Sequence, residues 1–138
     1  MKELLENAAE RARIYLESLN SRPVAPDLGA VSKLAMLDQP LPEGPTDPAK
    51  VIQQLDEMCT PATMAMAGPR FFGFVIGGSL PVTLAANWLA GAWDQNSALY
   101  NATPATAYLE QVASGWLLDL FHLPRTVEAA FVTGATMA

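Results

Sequence analysis

The stretch AAFVTGATMA, Ala129 to Ala138, decides how the rest of the chain is read. Ala129–Thr133 is a short apolar run with strand character, and Gly134-Ala135-Thr136 follows where a strand would feed a helix. Small residues at such a turn let backbone N–H groups approach an anion, and a helix N-terminus favours negative charge. Many α/β units use Gly and Ala there only for packing, so the turn alone leaves both readings open. A strand also needs a neighbour, because its backbone groups must be paired. The sequence begins at Met1 and stops inside this signal, so we expect a piece of a longer functional parent.

Working outward, the run before it is the clearest helix in the chain. Thr103-Pro104 supplies a cap followed by a first-turn proline. Ala105, Tyr108, Leu109, Val112, Trp116, Leu117, Leu120 and Phe121 then follow the helical period, and Pro124 stops it. Residues 95–103 are a polar connection. A shorter helix is expected over Leu80 to Asp94, with Ser79 as its cap. Near the start, Leu5, Ala8, Ala9, Ala12, Leu16 and Leu19 mark a helix over residues 2–20. Five of the eleven prolines fall in residues 21–46, which read as a wandering connection with one turn around Ser32–Leu37. Asp47-Pro48 opens a helix to about Cys59, with Val51, Ile52, Leu55 and Met58 inward.

Charge is distributed unevenly. Sixteen of the 22 charged residues lie in residues 1–59, and only Arg70, Asp94, Glu110, Asp119, Arg125 and Glu128 follow. The second half therefore reads as interior, of a larger fold or of an oligomer. A net charge of −6 argues against a nucleic-acid partner, which needs Lys and Arg clusters. One cysteine, Cys59, excludes a disulfide framework and suits a reducing cytoplasm. The charged amphipathic N-terminus is not a signal peptide. Residues 71–93 carry no charge and are long enough to span a bilayer, but Gly77-Gly78-Ser79, Pro81 and Asn87 interrupt them, so no membrane partner is expected.

Few residues offer chemistry. No His/Cys/Asp/Glu cluster has metal-ligand spacing, and no phosphate-loop motif appears. His122 ends a helix without a partner nucleophile and reads as structural. Cys59, with no basic neighbour, reads as a small core residue. Asp94 and Glu110 read as solvent, hydrogen-bond or interface charges. The loop Gly68-Pro69-Arg70-Phe71-Phe72-Gly73-Phe74-Val75-Ile76-Gly77-Gly78-Ser79 combines three aromatics, four glycines and one Arg. It is either a loop packed on a neighbouring domain or the wall of a ligand pocket.

Four runs occur in order: GPRFFGFVIGGSLP, NWLAGAWDQN, TPATAYLEQVASGWLLDLFHLP and FVTGATMA. Together they resemble the group II pyridoxal-dependent amino-acid decarboxylases over about residues 45–138, and the leading helix and proline-rich connection fit that family's N-terminal arm. The resemblance implies a parent of α/β class with the aminotransferase-like fold (fold type I). This chain would be mostly helical, with the first strand of the large domain near its C-terminus. Residues 1–94 would form the helical arm and dimerisation segment, and residues 95–138 the start of the cofactor-binding large domain.

It also implies a pyridoxal 5′-phosphate cofactor held by a lysine, a small amino-acid substrate, and a cytoplasmic homodimer with a shared active site. Carried over by position, Gly134, Ala135, Thr136 and Met137 would cradle the cofactor phosphate. Met137 could offer only its backbone N–H, where relatives often have Ser nearby. Gly77, Gly78 and Ser79 would line the substrate pocket. Asn96 and Ala98 lie in a segment that reaches the other subunit's pocket in some relatives, and Ala98 is smaller than the aromatic some carry there. Gly68 stands where other members have His. The catalytic lysine and the residues that hold the cofactor ring fall further along in the family. Lys2, Lys33 and Lys50 match none of them, so no catalytic residue is assigned here and the piece is expected to be inactive alone. Two rival readings stand beside this one. The chain could be a non-catalytic helical interaction protein, or its parent could carry out oxidative deamination to an aldehyde.

Overall fold

The computed structural model describes residues 1–96 and 99–137. The chain divides into two units, Met1–Leu80 and Pro81–Ala138, each considered by itself. Among the described residues the regular structure is entirely helical. Five α-helices occur: α1 Lys2–Ser18, α2 Leu28–Lys33, α3 Pro48–Cys59, α4 Pro81–Trp93 and α5 Pro104–Leu120.

In the first unit, α1 packs against α3 and both carry polar groups across the seam. Arg11 reaches Asp56 at 2.7 Å, while its Nε–H donates to Asn7 Oδ1 at 2.8 Å. The expected cap at Asp47 forms, with the carboxylate accepting from the Ala49 N–H at 2.9 Å and Pro48 in the first turn. Only part of the expected inward face of α3 is covered. Ile52 and Met58 are half-buried, but Val51 and Leu55 remain exposed. The turn expected around Ser32–Leu37 is longer than its proline-rich surroundings suggested. It starts at Leu28, where Asp27 accepts from the Gly29 N–H at 2.8 Å, and runs on as a 3-10 turn over Leu34–Leu37.

The buried apolar residues of this unit are Leu19 and Ala65. Ala65 is the tighter, at 1% exposure, and its N–H donates to the Val24 carbonyl at 2.9 Å. The core thus sits where the end of α1 meets the chain leaving α3.

In the second unit, α4 is a 13-residue helix. At 1.5 Å per residue it spans about 20 Å, against about 30 Å of bilayer hydrocarbon. No helix among the described residues is long and apolar enough to cross a membrane. α4 ends in Asp94 at φ 48°, whose N–H bonds back to Ala90 at 3.1 Å. A short polar side chain tolerates that left-handed position.

α5 starts as expected at Thr103-Pro104, but the capping differs. The Thr103 hydroxyl donates to the Leu99 carbonyl at 3.1 Å instead of accepting from the helix. The end of α5 is closed by backbone alone. His122 N–H reaches the Asp119 carbonyl at 3.1 Å, and Leu123 N–H reaches Leu118 at 2.9 Å. With His122 at φ 56° this is the paired-bond C-terminal motif, and Leu118 beneath it is buried. The expected apolar face of α5 is largely uncovered: Trp116 is 70% exposed, and Tyr108, Leu109 and Leu120 are exposed too. The helical period was right, and most of its apolar side stays exposed, with Val112 and Leu117 half-buried.

The strand expected over Ala129–Thr133 is not formed. The described residues offer no second strand to pair with, and an unpaired strand leaves its N–H and C=O groups unmatched. Gly134 leads instead into a 3-10 turn over Ala135–Met137, closed by Met137 N–H to the Gly134 carbonyl at 2.9 Å.

Candidate functional site

The glycine-rich loop belongs to the Met1–Leu80 unit. Its entrance is pinned by close backbone approach. A Cβ on Gly68 would lie 3.1 Å from the Ala65 carbonyl and 3.2 Å from that of Leu19. Its exit folds back on its beginning. Gly77 sits at φ 120°, and a Cβ there would lie 2.8 Å from the Met66 carbonyl and 3.2 Å from the Phe71 ring. Glycine is demanded twice at this position, by backbone conformation and by space. Gly78, at φ 82°, has open space around it, and Ser79 is exposed. Between the pinned ends the loop presents apolar side chains outward. Phe72 is 91% exposed, and Phe74 and Val75 are exposed at φ 60° and 55°. Two consecutive left-handed residues, one β-branched, are an uncommon and costly conformation.

The other candidate residues belong to the second unit. The Asn96 carbonyl accepts a long bond from the Thr106 hydroxyl at 3.4 Å, which draws the residue toward the first turn of α5. Ala98 lies outside the described residues. Gly134, Ala135, Thr136 and Met137 are all exposed in the 3-10 turn. No described atom lies within 4 Å of a Cβ built on Gly134.

The comparisons with known proteins identify the family. A sequence model of the pyridoxal-dependent decarboxylase conserved domain matches residues 31–138, a span holding all four ordered runs. The chain belongs to this decarboxylase family. It corresponds to the family's N-terminal region. It is similar to the aromatic-L-amino-acid decarboxylase of Rattus norvegicus, 27% identical over 133 residues, covering 96% of this chain and 26% of that protein. The Bacillus atrophaeus aromatic-L-amino-acid decarboxylase is 24% identical over the whole chain and 29% of its own length. Tryptophan decarboxylase 1 of Oryza sativa is 25% identical over 90% of this chain and 24% of that protein. The chain thus spans between a quarter and a third of the length of the first two relatives.

The family's cofactor is pyridoxal 5′-phosphate. The Gly134–Met137 turn carries groups that could donate to a phosphate. A 3-10 turn leaves its leading N–H groups without intrahelical partners, Gly134 keeps the approach free of side chain, and the exposed Thr136 adds a hydroxyl. Among the described residues no group of three or more His, Cys, Asp or Glu side chains could hold a metal.

One constellation was not foreseen from sequence. α1 and α3 enclose a cleft of about 350 Å³ lined by Arg11, Tyr15, Asp56 and Thr60 among others. The Thr60 hydroxyl donates to Asp56 Oδ1 at 2.6 Å and Arg11 to Oδ2 at 2.7 Å. Those two donors, the hydroxyl first, hold the Asp56 carboxyl below the ordinary carboxylate value. The available sequence signal was the i,i+4 spacing of Asp56 and Thr60 on one helix face. The pairing with Arg11 depends on tertiary structure.

Proposed function

We propose that this chain is the N-terminal part of a decarboxylase that removes the α-carboxylate of an amino acid, with an aromatic amino acid as the substrate class. The family match over residues 31–138 carries the reading, and the relatives' decarboxylation of aromatic amino acids supports the substrate class. Residues 1–94 form the arm and dimerisation segment. Residues 95–138 begin the large domain, where Ala129–Thr133 becomes its first strand once neighbours pair with it.

Gly134, Ala135, Thr136 and Met137 hold the cofactor phosphate. The turn's N–H groups and the Thr136 hydroxyl donate to its oxygens, and Met137 contributes backbone only. Bound there, the cofactor supplies a ring that accepts the electron pair left at Cα as CO₂ departs. Gly77, Gly78 and Ser79 wall the substrate pocket, with Gly77 letting the loop close tightly on Met66 and Phe71. Asn96 would reach toward the pocket of a second subunit, in a segment of sequence that also holds Ala98. A homodimer is further supported by apolar side chains that the chain leaves uncovered, Trp88, Trp93 and Trp116 among them. Lys2, Lys33 and Lys50 match no catalytic lysine, so the 138-residue piece does not decarboxylate by itself.

The test is the full open reading frame, expressed with the cofactor and offered aromatic, acidic and imidazole amino acids. CO₂ and amine in equal amounts from the aromatic substrates is the expected result. Aldehyde in place of amine would replace decarboxylation with oxidative deamination. No turnover, with the reading frame ending at Ala138, would leave a non-catalytic helical interaction protein.

A further inference from the structure

The glycine-rich loop carries one charged side chain, Arg70. Its Nη2–H donates to the main-chain carbonyl of Arg22 at 2.5 Å, 48 residues away. Arg22 is itself fixed from two sides. Its guanidinium lies 4.5 Å over the Tyr15 ring on α1 and donates to the Thr60 carbonyl, just beyond α3, at 2.7 Å. A planar guanidinium can stack and hydrogen-bond at once, which a lysine ammonium cannot do in the same way. The chain at Arg22 is therefore the point where α1, the end of α3 and the glycine-rich loop are tied together.

We propose that Arg22 and Arg70 form a two-part clasp that sets the position of the glycine-rich loop, and that both are positioning residues for the pocket which that loop walls. Neither is a catalytic residue, because each acts only through the backbone it holds. The inference rests on the assignment of Gly77–Ser79 to the substrate pocket. Its physical basis is the combination of a strained, outward apolar tip with pinned ends. A strained segment persists only where its surroundings over-determine it. Gly68 fixes the entrance by contact and Gly77 fixes the exit, and Arg70 is the link between the loop and the α1–α3 pair.

The experiment uses the full-length protein with its cofactor and two readouts. Chymotryptic cleavage after Phe72 and Phe74 reports whether the loop is held, and the steady-state constants report whether its position matters to substrate. Arg70→Met should raise the cleavage rate and KM about fivefold each, the factor expected for losing one exposed hydrogen bond, with kcat within about twofold. Arg70→Lys, which keeps a donor, should recover part of both. Arg22→Met should act in the same direction, and the double variant should be no worse than the poorer single one, because both act on one tie. Unchanged cleavage and KM in Arg70→Met would overturn the clasp, as would effects of the two substitutions that multiply. Faster cleavage with an unchanged KM would overturn the positioning role. If the full-length protein decarboxylates nothing, the functional reading fails, and the cleavage arm still decides whether the clasp exists.

Discussion

Arg11 and Asp56 stand 45 residues apart in sequence and 2.7 Å apart in space, joining α1 to α3. The pair is partly exposed, so it contributes on the order of 1 kcal/mol together with the Thr60 bond. Asp56→Asn should cost about that much in urea denaturation. The pH dependence has a definite sign. A carboxyl held below its ordinary value adds its full stability above its unfolded pKa, about 4, and loses it as pH falls through the lower folded value. Urea midpoints of the parent should therefore drop more steeply on acidification below about pH 4 than those of Asp56→Asn. Parallel curves would place the acid sensitivity elsewhere.

At the end of α5, His122 occupies a left-handed position that any Cβ makes costly. His122→Gly should stabilise the chain by about 0.5–1 kcal/mol and His122→Val should destabilise it by a similar amount. Helical ellipticity followed through thermal melting reads both. Equal melting temperatures for the two variants would deny the backbone a role in that cap.

Gly77 and Gly78 separate backbone conformation from space. Both have positive φ, but only Gly77 has atoms within 4 Å of an added Cβ. Gly78→Ala should cost about 1 kcal/mol from conformation alone. Gly77→Ala should cost at least about 1 kcal/mol more, because the Met66 carbonyl and Phe71 ring must move. Denaturation midpoints order the two, and equal losses would mean that the close approach at Gly77 carries no cost.

Under the proposed assignment, Thr136 offers the cofactor phosphate a hydroxyl. In the full-length protein Thr136→Val should weaken pyridoxal phosphate binding about tenfold, the loss of one hydrogen bond to a charged acceptor. Cofactor titration by absorbance measures it. Met137→Ala, which keeps the backbone N–H, should bind as the parent does. Unaltered affinity in Thr136→Val would move the phosphate contact off this side chain.

Trp88, Trp93 and Trp116 are the chain's three tryptophans, and each is at least half exposed. The 138-residue piece should therefore emit at the long wavelengths of hydrated indole when dilute, and should self-associate on gel filtration as concentration rises. The full-length protein should emit to the blue of it. Matching spectra would show that these faces stay wet in the complete molecule.

Much of this could be read from residue types alone where the physics is local. Asp47-Pro48 announced α3, Thr103-Pro104 announced α5, and Pro124 marked the limit beyond which α5 could not run. Asp27 was a readable cap as well, obscured by the prolines around it. What escaped was non-local. The tie from Arg70 to Arg22 spans 48 residues, and no periodicity announces it. The period of α5 identified a helix but not what lies against its apolar side, because helical spacing fixes a face and not its neighbour. Ala129–Thr133 has strand-forming residues, but a strand is a property of a pair. The four ordered runs gave the family, which no single site residue could have given.

The backbone closure at Phe121-His122-Leu123 ends α5 in a single turn. Arg125, just beyond it, returns to pair with Asp119, and its guanidinium lies where a Cβ on Gly115 would stand. The reversal of direction is thus completed within a few residues, and the heading of everything that follows is inherited from it. A helix turns roughly 100° per residue, so adding or removing one residue in the last turn of α5 would swing the Gly134–Met137 segment to a different bearing. Selection on this corner should act on its length more strictly than on its lettering.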